Sequence, residues 1–157
     1  MLALSSWYVI VLAIGFLCFP ITYKLLPEFS DRGYSLARVL GLLIWGYSFW
    51  ILTTFGFLSN DFGGALIGIV ILLIIDLIIF RKDGVQPVLI WLKGNWRTWL
   101  FSEAVFLAAF IFMFFMRASD PIISGTEKPM ELAFINAILE SPAFPPADPW
   151  LSGYSIS

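Results

Sequence analysis

Apolar residues in this chain fall into four long runs, at about 7–25, 38–58, 62–80 and 98–116, separated by short polar breaks. A helix needs roughly 20 apolar residues to cross the hydrocarbon core of a bilayer, so each run predicts a transmembrane helix. The first is not read as a signal peptide: no basic segment precedes Trp7 and no small-residue cleavage site follows. Pro20 falls inside it, which lipid tolerates when neighbouring helices re-satisfy the backbone. Between the third and fourth runs, residues 85–96 are apolar but too short to span. There Val88, Leu89, Trp91, Leu92 and Trp96 set against Lys93 and Arg97 predict a helix lying on the headgroups. Beyond Arg117 the pattern changes. Leu132, Phe134, Ile135, Ile138 and Leu139 recur at three and four, with Glu131, Asn136 and Glu140 on the other face. That spacing predicts a short amphipathic helix at about 130–139, with Thr126 able to cap it and Pro129 in its first turn. Residues 141–148 are proline-rich and extended, and Pro149 to Tyr154 turn back towards the bilayer. The expected fold is all-α: an integral membrane bundle of about four transmembrane helices, an interfacial helix, and an outer loop over 118–157 carrying the short helix.

Composition agrees with this reading. Of the 157 residues 60 % are hydrophobic and only 13 % are charged, against roughly 25 % charged in a soluble domain. Charge sets orientation. With the N-terminus outside, Lys24, Arg32, Arg38, Arg81, Lys82, Lys93 and Arg97 lie on the cytoplasmic side, leaving Arg117 and Lys128 outside. The positive-inside rule therefore places both the N-terminus and the C-terminal loop outside the plasma membrane. The lipid bilayer is the first partner, and no nucleic-acid partner is expected. The chain has no His, which removes the commonest general base and metal ligand. Its one cysteine, Cys18, lies in the first run, so no disulfide framework can form within one chain.

Several residues stand out against the apolar background. Asp76 and Glu103 are acids inside spans, a costly placement that signals function by default. Both lie near the inner interface, and pairing of Asp76 with Arg81 and of Glu103 with Arg97 is favoured over an ion path. Transport is the weakest functional reading, because nothing suggests internal symmetry or a midplane charge. Trp45, Tyr47 and Trp50 place amphipathic rings in the second span, suited to packing on other helices. Ser59-Asn60-Asp61 offers an N-cap for the third. Gly64-x-x-x-Gly68 permits close helix approach, although the spacing is common by chance in apolar sequence. In the tail, Glu127 reads first as an acid placed favourably at a helix start, Lys128 as a solvated loop charge, and Asp148 as a turn residue before Pro149.

The tail run GTEKPMELAFINAILESPAFPPADPWLSGY, the earlier DRGYSLARVLGLLIWGY and the acid-bearing fourth span together resemble the amino-terminal part of the YYY membrane proteins. These are prokaryotic multi-pass proteins named for a run of tyrosines. The resemblance covers essentially the whole chain and implies continuation past Ser157 into the tyrosine run and further spans. That family in turn resembles the GT-C class of membrane glycosyltransferases, which carry an acid in the first large outer loop, then an amphipathic helix, then a proline-containing extended segment. On this likeness Glu127 takes the place of the loop acid, though Glu stands where Asp is usual and Lys128 where a second acid often stands. The resemblance implies transfer of a sugar from a polyprenyl-phosphate donor. Glu127 would be the catalytic carboxylate, Lys128 and Arg117 would bind the donor phosphate, and Glu127 with Glu131 would hold a Mg²⁺ or Mn²⁺ ion. It also implies further transmembrane helices, from a longer chain or a partner subunit. The alternative is a non-catalytic scaffold or assembly subunit whose outer loop binds a partner.

Overall fold

The computed structural model describes residues 2–119, 122 and 127–156. Six helices follow one another: α1 (Leu2–Leu25), α2 (Ala37–Thr54), α3 (Phe62–Asp83), α4 (Gln86–Gly94), α5 (Trp96–Ser119) and α6 (Lys128–Glu140). Among the described residues there is no strand, only an isolated antiparallel bridge between Ala147 and Ser155. α1, α2, α3 and α5 are long and apolar enough to cross a membrane. Helix is the form such segments must take, because a backbone in hydrocarbon has to satisfy its own hydrogen bonds.

The tightest packing joins α1, α2 and α3. Cys18, Ile21 and Leu72 are buried between them, with Leu40, Ile44, Trp45, Ile75 and Ile79 around. The two glycines at the start of α3 explain the close approach to α2. A Cβ on Gly68 would stand 2.4 Å from Trp45 Cδ1, and one on Gly64 would stand 2.1 Å from the Ser59 carbonyl oxygen. Trp45 also donates its indole N–H to the Ala65 carbonyl at 2.7 Å, tying α2 to α3. Tyr47 and Trp50, in contrast, are exposed. Asp61 caps α3 by accepting from Gly64 N at 2.7 Å.

Two boundaries differ from expectation. The second span stops at Thr54 rather than running on to 58, although Phe55, Phe57 and Leu58 are apolar. Gly56 takes a positive φ of 74°. Its N–H then reaches the Thr53 carbonyl, and the Phe57 N–H reaches Leu52, which is the Schellman way of ending a helix. The short helix expected between the third and fourth spans is α4; Val88 faces the bundle while Leu89 and Ile90 stay exposed. Val88 is buried with Phe19, Tyr34 and Ala37, and Trp91 and Leu92 close over them. Helix α6 begins earlier than 130, with Glu127 in the N-cap position, Pro129 in its first turn and no side-chain cap bond. The capping role expected of Thr126 lies outside the described residues.

Candidate functional site

Two polar constructions stand at opposite ends of the bundle. The first is a buried cluster at the α1–α2 end. The turn 26–36 is fixed by Asp31, whose carboxylate accepts from Gly33 N at 3.0 Å and Ser35 N at 2.9 Å. Burial alone would raise this carboxyl, but the Ser35 and Gly33 hydrogen bonds outweigh it and hold Asp31 below the usual carboxylate range. The turn delivers Tyr34 and Arg38 to Glu103 of α5. Arg38 forms an ion pair with Glu103, their side chains only 7 % and 12 % exposed, and the Tyr34 hydroxyl donates to the same carboxylate oxygen at 2.6 Å. Burial, then the contact with Glu103, pushes the Tyr34 hydroxyl well above its ordinary pKa. The Arg38 guanidinium also lies 4.2 Å from the centre of the Phe106 ring. Two atoms remain without partners: Arg38 Nε and Glu103 Oε2.

This changes the reading of the intramembrane acids. Glu103 is paired, but with Arg38 and not with Arg97, whose guanidinium lies over the Trp96 ring. Asp76 is buried, its Oδ1 finds no hydrogen-bond partner, and no ion pair joins it to Arg81 among the described residues. The other ion pair described, Lys24 with Asp83, is half-exposed and ties the end of α1 to the end of α3.

The second construction is the tail. Asn60, in the α2–α3 turn, donates its side-chain amide to the carbonyls of Ile138 at 2.5 Å and Ser141 at 2.7 Å. Its backbone N–H reaches the Pro142 carbonyl at 2.8 Å. Phe49 meets Phe144 edge to face. The tail is therefore seated on the α2–α3 turn, at the end of the bundle away from the Arg38 cluster. Beyond α6 the chain folds back on itself. Asp148 N reaches Tyr154 O at 2.8 Å and Ile156 N reaches Pro146 O at 2.9 Å. Asp148 Oδ1 accepts from Trp150 N and Leu151 N, so Asp148 is the turn residue its sequence position suggests.

The residues singled out for chemistry lie along this tail. Glu127 and Glu131 are exposed and one helical turn apart, joined by the Glu131 N–H to Glu127 carbonyl bond at 2.9 Å. Lys128 is half-buried, and its Nζ donates to the Ile122 carbonyl at 3.2 Å. Arg117 is exposed in the last turn of α5, separated from α6 by residues that lie mostly outside the description. Two carboxylates four positions apart suit Mg²⁺, which commonly takes one or two protein carboxylates and fills its remaining positions with water or phosphate. Among the described residues no third acidic, His or Cys ligand joins them.

Sequence reasoning missed a groove of about 590 Å³ between α6 and the folded-back chain, lined by Asn136, Ala137, Glu140, Ser141, Ala147 and Asp148 among others. Asn136 and Glu140 face it, roughly 140° and 180° round the helix from Glu131. Their own spacing of four was visible in the sequence. The return of Asp148 beside them depends on the fold-back and was not.

Four apolar helices with polar constructions at both ends define a multi-pass helical membrane protein. The chain matches the DUF2298 family of uncharacterised membrane proteins over residues 44–157, most of its length, and belongs to that family. No curated protein and no solved structure matches it.

Proposed function

We propose that this chain forms the amino-terminal portion of a membrane glycosyltransferase of the GT-C kind, acting at the outer face of the plasma membrane on a polyprenyl-phosphate sugar. The observation that carries the proposal is the seating of α6 by Asn60. It supports an acid-bearing loop held against the bundle, with Glu127 at the start of the helix. In the reaction the Glu127 carboxylate takes the proton from an acceptor hydroxyl as that oxygen bonds the anomeric carbon. The bond from the anomeric carbon to the phosphate oxygen breaks, and polyprenyl phosphate leaves. A Mg²⁺ or Mn²⁺ ion, held by Glu127 and Glu131, would neutralise the phosphate. Arg117 and Lys128 would add positive charge on the same side of the membrane.

The test compares Glu127→Gln with Glu28→Gln in full-length protein, using radiolabelled polyprenyl-phosphate sugars. Gln keeps the size and removes the charge. Glu127→Gln is expected to lower turnover at least about a hundredfold, the scale of general acid–base groups. Glu28→Gln, in the turn at the far end of the bundle, is expected to keep it. Wild-type turnover in Glu127→Gln would reduce Glu127 to a helix-start acid. A second reading, a scaffold whose outer loop binds a partner, is favoured by the exposed Trp150, Leu151 and Tyr154 at the tip of the fold-back. It takes over if the wild-type protein turns over no such donor.

A further inference from the structure

The buried cluster opens on one side into a groove of about 500 Å³ between the 26–36 turn and α5. Its lining changes character along its length. At one end stand Ser30, Asp31, Ser35, Thr98 and Ser102, with Arg38, Phe101 and Phe106 beside them, and towards the other only Val105 and Ala109 of α5. From Thr98 to Ala109 the helix rises roughly 16 Å, the length of an extended acyl chain of about a dozen carbons. The polar end lies where the basic-residue count places the cytoplasmic headgroups. A groove that passes from hydroxyls and charge to plain hydrocarbon over that distance matches one lipid molecule, not a peptide or a soluble metabolite.

Charge narrows the choice of lipid. Arg38 is spent on Glu103, and its unpartnered Nε is buried beside Gly15 of α1, so Arg38 lends the groove positive charge without an open donor. Ser30, Thr98 and Ser102 add hydroxyls, while that of Ser35 is already bonded to Asp31. Against these stands one carboxylate with no cationic side chain paired to it, Asp31, already satisfied in part by Gly33 and Ser35 N–H. The Ser35 hydroxyl and the backbone N–H bonds hold it below the usual carboxylate range. An anionic headgroup would meet that charge head-on. We propose that the groove binds an aminophospholipid from the inner leaflet: its phosphate on the hydroxyls of Ser30, Thr98 and Ser102 beside the Arg38 charge, its ammonium on Asp31, and one acyl chain along Phe101, Val105 and Ala109. A primary ammonium can hydrogen-bond the carboxylate, whereas a trimethylammonium cannot and a glycerol headgroup carries no positive charge. The site does not depend on the glycosyltransferase reading.

The experiment is native mass spectrometry of the full-length protein, delipidated in detergent and titrated with dioleoyl phosphatidylethanolamine, phosphatidylcholine or phosphatidylglycerol. The wild-type protein is expected to hold one phosphatidylethanolamine at least about tenfold more tightly than either competitor, a difference of about 1.4 kcal/mol. Asp31→Asn is expected to erase that preference. Ala109→Phe, an apolar change on an exposed helix face, is expected to lower binding of all three lipids by filling the chain end of the groove. Equal occupancy by the three lipids in wild type overturns the proposal, as does unchanged preference in Asp31→Asn. Unchanged affinity in Ala109→Phe overturns the assignment of the acyl chain.

Discussion

Removing Glu103 is expected to be the most damaging single change in the spans. In Glu103→Ala the Arg38 guanidinium, 7 % exposed, loses its counter-charge, and the Tyr34 hydroxyl loses the acceptor 2.6 Å away. Breaking one side of a buried pair costs about 3–5 kcal/mol, because the surviving charge stays buried. A chain of this length shifts its melting temperature by roughly 2–4 °C per kcal/mol, so a fall on the order of 10 °C is expected. The molecule carries its own reporter. Cys18 is the one cysteine and is fully buried between α1 and α3, so a maleimide fluorophore reacts as the bundle opens. Asp83→Asn serves as the comparison. The Lys24–Asp83 pair is about half exposed, such pairs contribute about 0–1 kcal/mol, and the melt should barely move. The double variant Arg38→Met with Glu103→Leu removes both charges and should recover at least half the loss. A Glu103→Ala melt within about 2 °C of wild type, or no recovery in the double variant, refutes the view that this pair holds α5 to α2.

Gly68→Ala is expected to cost about 1–3 kcal/mol in the same assay, because the new Cβ would meet both the Trp45 ring and its backbone oxygen; Gly46→Ala, with open space around it, should be neutral or slightly stabilising, and equal melts for the two would remove the close-approach argument. Orientation is tested by an impermeant maleimide on intact cells carrying Ser152→Cys or Lys82→Cys in a Cys18→Ser background. Labelling is expected at 152 and absent at 82 until the cells are opened, and the reverse pattern would invert the topology.

The helices were legible because hydropathy over a span is a strong signal and lipid leaves the backbone few choices. Their ends and partners were less so. The apolar run through Phe57 and Leu58 hides the stop at Gly56, which depends on one backbone torsion. Arg97 is the nearer base to Glu103 along the chain, but in space the acid faces Arg38, 65 positions away. Neighbouring positions on a helix say little about a partner delivered by another helix. Asn60 read as part of a capping turn, and Asp61 does cap α3. Asn60's own amide instead reaches across 78 and 81 positions to the tail. In the tail, the amphipathic helix and Glu127 could be located from period and composition. The groove beside Glu140 could not, because the Ala147–Ser155 bridge creates it.

Helix α5 has a mechanical consequence. No residue along it is buried, and its described side-chain contacts with the rest of the bundle fall on Trp99, Glu103, Phe106 and Phe110. From Ile111 onward every residue to Ser119 is exposed. Such a helix is a spar pinned near its N-terminal end and bare at its C-terminal one. From Glu103 to Arg117 it extends about 21 Å, so a tilt of 10° about the pin would carry Arg117 sideways by about 4 Å. The tail resists that swing at its other attachment, because Asn60 anchors it to α2 and α3. Arg117 rides on the bare end of α5, while Glu127 starts the seated α6. Any load that tilts α5, from bilayer thickness or from another helix leaning on its bare face, is delivered as a change in the separation of Arg117 and Glu127.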